Sequence, residues 1–548
     1  MPRPRLTFPY DIEMDQTHSQ ESTNSMVHHV IATGLRMQSQ GDLLGAEECF
    51  AKVLSQEPEN QDALFRFGVL RLRQGMILDA MSKLQRVLQL DTRHAEAYNN
   101  LGVMLAQHNR FAQAIACFHL ALRSKPSLED ARRNLNQAMS DQERQGGDCV
   151  PMSEPFQVAL AAAKIYYSQG MTLLGQGHIL KAEQALGRAV QINPDHGMSH
   201  YGLGLVSAEQ GELENALAQV ERALKHAPQS ADLRYDRARL LLQLGDFERG
   251  WSEFECRWKV TGAEVRAFPQ PLWNGAPLNG RTILLHGEQG IGDVFQFIRY
   301  TAFVKDRTKG NVLVACPPSL HRILASCPGV DAMVGMGPDY PPFDVHMPLM
   351  SLPGLVKTTL ETIPNNVPYL FPAPELVEYW KQDLDGIRGF KVGIVWQGSP
   401  TYKWDHQRSI PLYHFASLAQ VPGVRLLSLQ KGPAAEQLRA VADRWPIIDL
   451  DRRLDEHAGA FVDTAAVMKN LDLVVTADTS AAHLAGALGV PVWLAQWHVP
   501  EWRWLYGKDT SPWYPSMRLF RQARKGDWGE LFSRIASQLM AQLELSQS

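Results

Sequence analysis

Glycines stand at Gly34, Gly68, Gly102, Gly170 and Gly204, so successive steps are whole multiples of one 34-residue period. Alanines keep the same phase twelve residues later, at Ala46, Ala80, Ala114, Ala182 and Ala216. Prolines close the period at Pro58, Pro126, Pro194 and Pro228, with Thr92 in the remaining slot. Glycine fills about 7% of positions in ordinary proteins, so five hits in about seven slots has a chance probability on the order of 10⁻⁵ per register. A strict period of this length excludes a single closed core for the first half and requires stacked copies of one small unit.

The 34-residue spacing of small residue, small residue and proline resembles the tetratricopeptide repeat. That resemblance implies two antiparallel helices per repeat, with the small residues letting their backbones approach. Proline cannot continue the second helix and sets the break before the next repeat. Phe50, Leu84, Phe118, Leu186 and Val220 are then expected to fill the gap between neighbouring repeats. Ala238, Gly250 and Phe254 mark a last, altered copy, which places the array at 26–258. The slot at 127–160 starts like a first helix (SLEDARRNLNQAM) and continues with the polar, glycine- and proline-containing DQERQGGDCVPMSEP. The phase survives across it, which reads as a degenerate repeat and leaves a hinge open. Stacked helix pairs offer an extended concave surface, which suits a polypeptide partner.

The 548 residues are too many for one core, so further domains are expected. The net charge of −4 argues against a general nucleic-acid binder. Six scattered cysteines form no C-x-x-C pair and no zinc spacing, which fits free thiols in a reducing cytoplasm. Residues 1–25 are polar, carry no apolar core of a secretory signal and are expected to be disordered. No run approaches the roughly 18 apolar residues of a membrane span.

After Trp258 the pattern changes. A Gly- and Pro-rich linker at 259–280 gives way to short apolar runs separated by amphipathic segments: TILLHG, NVLVACP, KVGIVWQG, VRLLSLQKG, LDLVVTAD and VPVWLAQW. This alternation predicts parallel sheets with covering helices in two lobes, 281–375 and 388–524, and a closing helix within 525–548 that packs back across. Ligands of such lobes bind at the carboxyl ends of the strands, and the chemistry-bearing motifs gather there.

The run HGEQGIGD at 286–293 puts Gly287, Gly290 and Gly292 after a strand, where the backbone can approach a ligand closely. Asp293 follows, either as a general base or as a helix cap. DTSAAH at 478–483 follows LDLVVTA and opens a helix. Asp478 is a candidate cap, while Thr479, Ser480, Ala481 and the free N–H groups of the first turn make an anion site. His483 adds a donor or is simply buried. Arg408 and Lys431 each follow a strand, as phosphate cations or as surface charges. Trp497, Trp502, Trp504, Trp513 and Tyr514 form an aromatic cluster that either stacks on a base or sugar or packs a long loop.

Together, the repeats and the motifs HGEQGIGD, GIVWQGSP, RSIPL, SLQKG and DTSAAHLAGALG resemble bacterial repeat-bearing glycosyltransferases with a heptosyltransferase-like half. The implied fold is a helical tetratricopeptide superhelix followed by an α/β GT-B half of two Rossmann-like lobes. By that resemblance Asp293 is the catalytic base. Gly290, Gly292, Arg408, Lys431, Asp478, Thr479, Ser480, Ala481 and His483 bind a nucleotide-sugar donor. Arg408 stands where the family has lysine, an exchange that preserves phosphate binding. The family is inverting and generally needs no metal or other cofactor, so none is expected. The arrangement is similar to that of O-GlcNAc transferase and of flagellin glycosyltransferases, which implies a protein acceptor carried by the repeats, with flagellin the first candidate. Two alternatives stay open: an adaptor or chaperone with an inactive transferase half, and a transferase acting on a glycan or lipid.

Overall fold

The computed structural model describes residues 22–547 apart from 108–110, 145–153, 261–266, 338, 442–443, 451–452 and 457–458. The expected disordered terminus falls outside the described residues up to position 21, and Ser22 opens the helix Ser22–Ser39. The chain divides into two compact units that meet in sequence at Gly202 and Leu203.

The first unit is helical throughout its described length. The periodic residues meet inside each repeat. A Cβ built on Gly34, Gly68, Gly102 or Gly170 would lie 2.9, 3.1, 2.5 or 2.5 Å from Phe50, Leu84, Phe118 or Leu186 respectively. The large residue of the second helix therefore seats on the glycine of its own first helix and also fills the gap to the next repeat as expected, Phe50 meeting Phe67 and Leu84 packing with Leu101. All four large side chains are fully buried, and removing a methyl's worth of volume from the facing position is what admits them. A second glycine series, Gly41, Gly75, Gly177, Gly211 and Gly245, makes the turn between the two helices with φ from 75° to 88°, a conformation open to glycine at little cost. In the irregular slot, the expected first helix forms as Glu129–Arg144 and packs on Phe111–Ser124. The following polar stretch lies largely outside the described residues. The array resumes with Glu154–Gly175 against Ile179–Ile192.

The second unit begins with the last repeats, Leu213–His226, Ala231–Leu244 and Phe247–Phe254. Here Gly204 seats Val220 in the regular way, at 3.1 Å, whereas the altered final copy inverts the device and seats Leu242 on Gly250 at 2.7 Å. Two parallel sheets follow. The first has β1 (Thr282–His286), β2 (Asn311–Ala315), β3 (Ala332–Val334) and β4 (Val345–Pro348) in the order β3-β2-β1-β4. The second has β5 (Phe390–Val395), β6 (Val424–Ser428), β7 (Ile447–Asp449), β8 (Leu473–Ala477), β9 (Val492–Gln496) and β10 (Met517–Arg521) in the order β10-β9-β8-β5-β6-β7. Strand order reverses beside β1 in one lobe and between β5 and β8 in the other, and a crevice opens at such switch points.

Part of the expected linker belongs to the first lobe: Trp273 and Leu278 are buried, and the Trp273 N–H donates to the His346 carbonyl at 2.9 Å. The closing helix, Trp528–Gln547, packs on the second lobe through Phe532 against Phe415, with ring centroids 4.5 Å apart. One apolar core joins Leu242, Trp251 and Phe254 of the last repeats to Phe297 of the first lobe and to Leu484 and Trp502 of the second.

Candidate active site between the two sheets

The glycine turn after β1 leads into the helix Ile291–Phe297, which packs directly on the helix Ser480–Ala487 after β8. Gly292 makes the approach possible: a Cβ there would lie 2.8 Å from His483 Cδ2 and 3.6 Å from Ser480 Cα. The two motifs singled out in the sequence thus face each other across the lobes.

Asp293 does two things at this junction. Its Oδ2 accepts the Gly290 N–H at 2.8 Å, fixing the start of its own helix. Its Oδ1 accepts from the Arg503 guanidinium, contributed by the other lobe. Burial pushes its carboxyl above the usual aspartate range, while Arg503 and the Gly290 N–H act in the opposite direction. Next to it, Glu288 is held by both forks of Arg257 at 2.9 Å, and Arg257 is 4% exposed at the end of the last repeat. Tyr235, from the helix Ala231–Leu244, also lies beside the Gln289 side chain. The final repeat therefore braces the turn.

Across the junction Thr479, not Asp478, caps the helix: its Oγ1 accepts the Ala481 N–H at 3.3 Å. Asp478 is instead held by the Trp504 indole N–H at 2.9 Å. Burial, then the neighbouring Glu501 carboxylate, raises its pKa to about 6. His483 is buried, its Nδ1 is 3.0 Å from the Tyr514 hydroxyl, and its ring stacks on Trp504 at 5.0 Å. Burial, with Arg503 and Arg299 nearby, holds its pKa well below the usual histidine value, so the ring is neutral.

Arg408 reaches the same turn from the short helix Asp405–Arg408 that follows β5. Its Nη1 donates to the Asp478 carbonyl at 3.2 Å and its Nε to Asp405 at 3.2 Å, with Tyr402 under the guanidinium at 4.4 Å. Gly398 gives it room, since a Cβ there would lie 2.5 Å from Arg408 Nη2. Lys431 takes a different course: its Nζ donates to the Leu454 carbonyl at 2.7 Å. In SLQKG the organising residue is Gln430, whose Oε1 accepts from the N–H groups of Trp396 and Gln397 at 3.0 and 2.9 Å.

In the aromatic cluster Trp502, Trp504, Trp513 and Tyr514 are buried among other rings: Trp502 meets Trp251 at 5.4 Å and Trp513 meets Phe247 at 6.1 Å. Trp497 lies against Trp528 at 6.4 Å. Sequence motifs single out these aromatics but neither Arg503 between them nor Asp405 beside Arg408. Arg503 is 10% exposed, lies over Trp502 at 4.4 Å, and also pairs with Glu501 at 2.8 Å. Its signal was a lone arginine in EWRW, flanked by an acid and two indoles. Among the described residues, no three His, Cys, Asp or Glu side chains gather where a metal would sit. Among them, too, no helix is long and apolar enough to cross a membrane.

Tetratricopeptide repeat families match residues 72–129, 167–223 and 207–250. Protein FlbA of Caulobacter vibrioides is 24% identical over 532 residues, 91% of this chain and 87% of that protein. The probable UDP-N-acetylglucosamine–peptide N-acetylglucosaminyltransferase SPINDLY of Hordeum vulgare is 26% identical over 184 residues, 32% of this chain and 19% of that one. Among solved structures, ADP-heptose lipopolysaccharide heptosyltransferase II of E. coli aligns with 49% of this chain and 100% of its own, at 14% identity and a TM-score of 0.36. The repeat matches and the strand order together show a tetratricopeptide-repeat array followed by two parallel α/β sheets.

Proposed function

We propose that the chain is an inverting glycosyltransferase, independent of metal, that moves a sugar from a nucleotide diphosphate donor to a serine or threonine hydroxyl of a protein recruited by the repeats. One observation carries the reading: a near-buried carboxylate, Asp293, stands at a junction where a capped helix N-terminus and Arg408 converge from the other lobe. The acceptor O–H gives its proton to Asp293, and its oxygen forms the new bond to the anomeric carbon. The bond from that carbon to the diphosphate breaks, and its electron pair leaves with the nucleotide. The first-turn N–H groups at Thr479, Ser480 and Ala481, together with Arg408, take up the departing charge. Gly290 and Gly292 keep the turn close to the donor, and neutral His483 supports the helix start. Lys431, turned toward Leu454, serves the nucleotide only if its side chain swings away from that carbonyl.

Titration calorimetry of the full-length protein with each common nucleoside diphosphate tests the donor half of this reading. Radiolabelled nucleotide sugars with protein acceptors, flagellin first, test the transfer. Retention of label by a glycan or lipid extract, with none on protein, would replace the acceptor class. Absence of nucleotide binding would leave an adaptor built on an inactive transferase fold.

A further inference from the structure

We propose that Arg503 is a second donor-phosphate cation, which releases the Asp293 carboxylate when a nucleoside diphosphate sugar enters. The inference rests on the reading of this junction as a nucleotide-sugar site and adds the residue that frees the base.

Arg503 is nearly buried, yet its Nε has no hydrogen-bond partner while its other nitrogens hold Asp293 and Glu501. A buried donor left open is costly, so such groups are found where an acceptor arrives. The position suits a diphosphate. The next residue, Trp504, holds Asp478, and Arg408 lies on the carbonyl of that same aspartate. The helix start at Ser480 abuts Gly292, the residue before Asp293. Two arginines and one helix N-terminus therefore bracket a single turn.

Asp293 and a diphosphate then compete for one guanidinium. The diphosphate carries more charge and matches the planar fork, so it wins when present. Asp293 keeps its bond from the Gly290 N–H and stays in place. Deprived of its counter-charge, the buried carboxylate binds protons more strongly and becomes a better base. Activation is thereby tied to donor loading, which predicts ordered binding with the donor first. The charged and titratable groups around Arg503 are Asp293 from the glycine turn, Glu501 on its own segment, Asp478 at the end of β8, Tyr235 of the last repeat and neutral His483.

Calorimetry with the nucleoside diphosphate that binds best tests this on the full-length protein. Asp293→Asn removes the competitor and is expected to tighten binding by about tenfold, whereas Arg503→Ala is expected to weaken it by about ten- to a hundredfold. The gain from Asp293→Asn should vanish when Arg503 is also replaced. A merely structural arginine predicts no gain at all. If Arg503→Ala fails to fold, Arg503→Lys and the charge-free pair Asp293→Asn with Arg503→Met carry the same cycle. Unchanged or weaker binding in a folded Asp293→Asn protein, or a gain that persists without Arg503, overturns the proposal. If the unmodified protein binds no nucleoside diphosphate, the site reading itself falls and takes this inference with it.

Discussion

Gly102 in the repeats and Gly292 between the sheets use one device for opposite ends. Each lacks a side chain where an aromatic ring comes in, Phe118 in one case and His483 in the other. Around Gly102 the neighbours are apolar: Val103, Ala114 and Phe118 are fully buried. Around Gly292 stand Asp293, Arg503, Asp478 and Arg408. Close approach in the first setting yields packing energy alone. In the second it brings charges of both signs into a largely buried junction, where each interaction is stronger than it would be at the surface.

The comparison can be broken in four places. The largest effect is expected for Asp293→Ala, which should slow transfer by about 10²–10⁴-fold in single-turnover assays. A native rate would mean that the polar junction is as passive as a repeat. Gly292→Ala comes next. Its new methyl would press on His483 and displace the facing helices, and misplacement of that order costs about 10²-fold in rate. Gly102→Ala meets Phe118 more closely still, at 2.5 Å, but should cost stability alone, about 1–3 kcal/mol by denaturant titration. Nucleotide affinity should stay constant in that variant. If the two alanine substitutions affect rate and stability alike, the distinction between them disappears.

The smallest effect concerns Asp478. Its pKa lies at about 6 in the folded protein against an ordinary 3.8. Between those values the native state holds a proton that the unfolded chain has released, so stability falls as pH rises through the window. Asp478→Asn removes this dependence. The melting temperature of the variant relative to the parent should therefore climb between about pH 4 and pH 6, by a few degrees at most. A constant difference would show that the carboxyl is not shifted.

Much of the architecture could be read from residue order because it depends on local regularities. The 34-residue phase needs only small residues at fixed intervals, and the six apolar runs at 282–496 all became strands. Of the remaining strands, β3, β4 and β7 are three or four residues long, too short for a pattern to register, and Arg518 and Arg521 break the apolar run of β10. The turn glycines from Gly41 to Gly245 lay in phase and could have been read. At the site, motif residues on each lobe were visible one lobe at a time. Arg503 was not, since its partner Asp293 is 210 positions away and a charge pair at that separation leaves no periodic trace. The cap at Thr479 was misassigned to Asp478 because both residues cap helices well, and only the indole of Trp504 decides between them.

The last repeats are built into the core beneath the two sheets. Gln243 bonds the Pro500 carbonyl at 2.7 Å through its side chain and the Tyr506 N–H at 3.0 Å through its own carbonyl, and Trp251 lies against Trp502. Excision at residue 250 would therefore open the core that the sheets share, and any truncation meant to remove repeats alone has to stop ahead of Leu203. The same boundary marks where repeat stacking gives way to a shared foundation, since the terminal pair lies in one apolar core with the sheets.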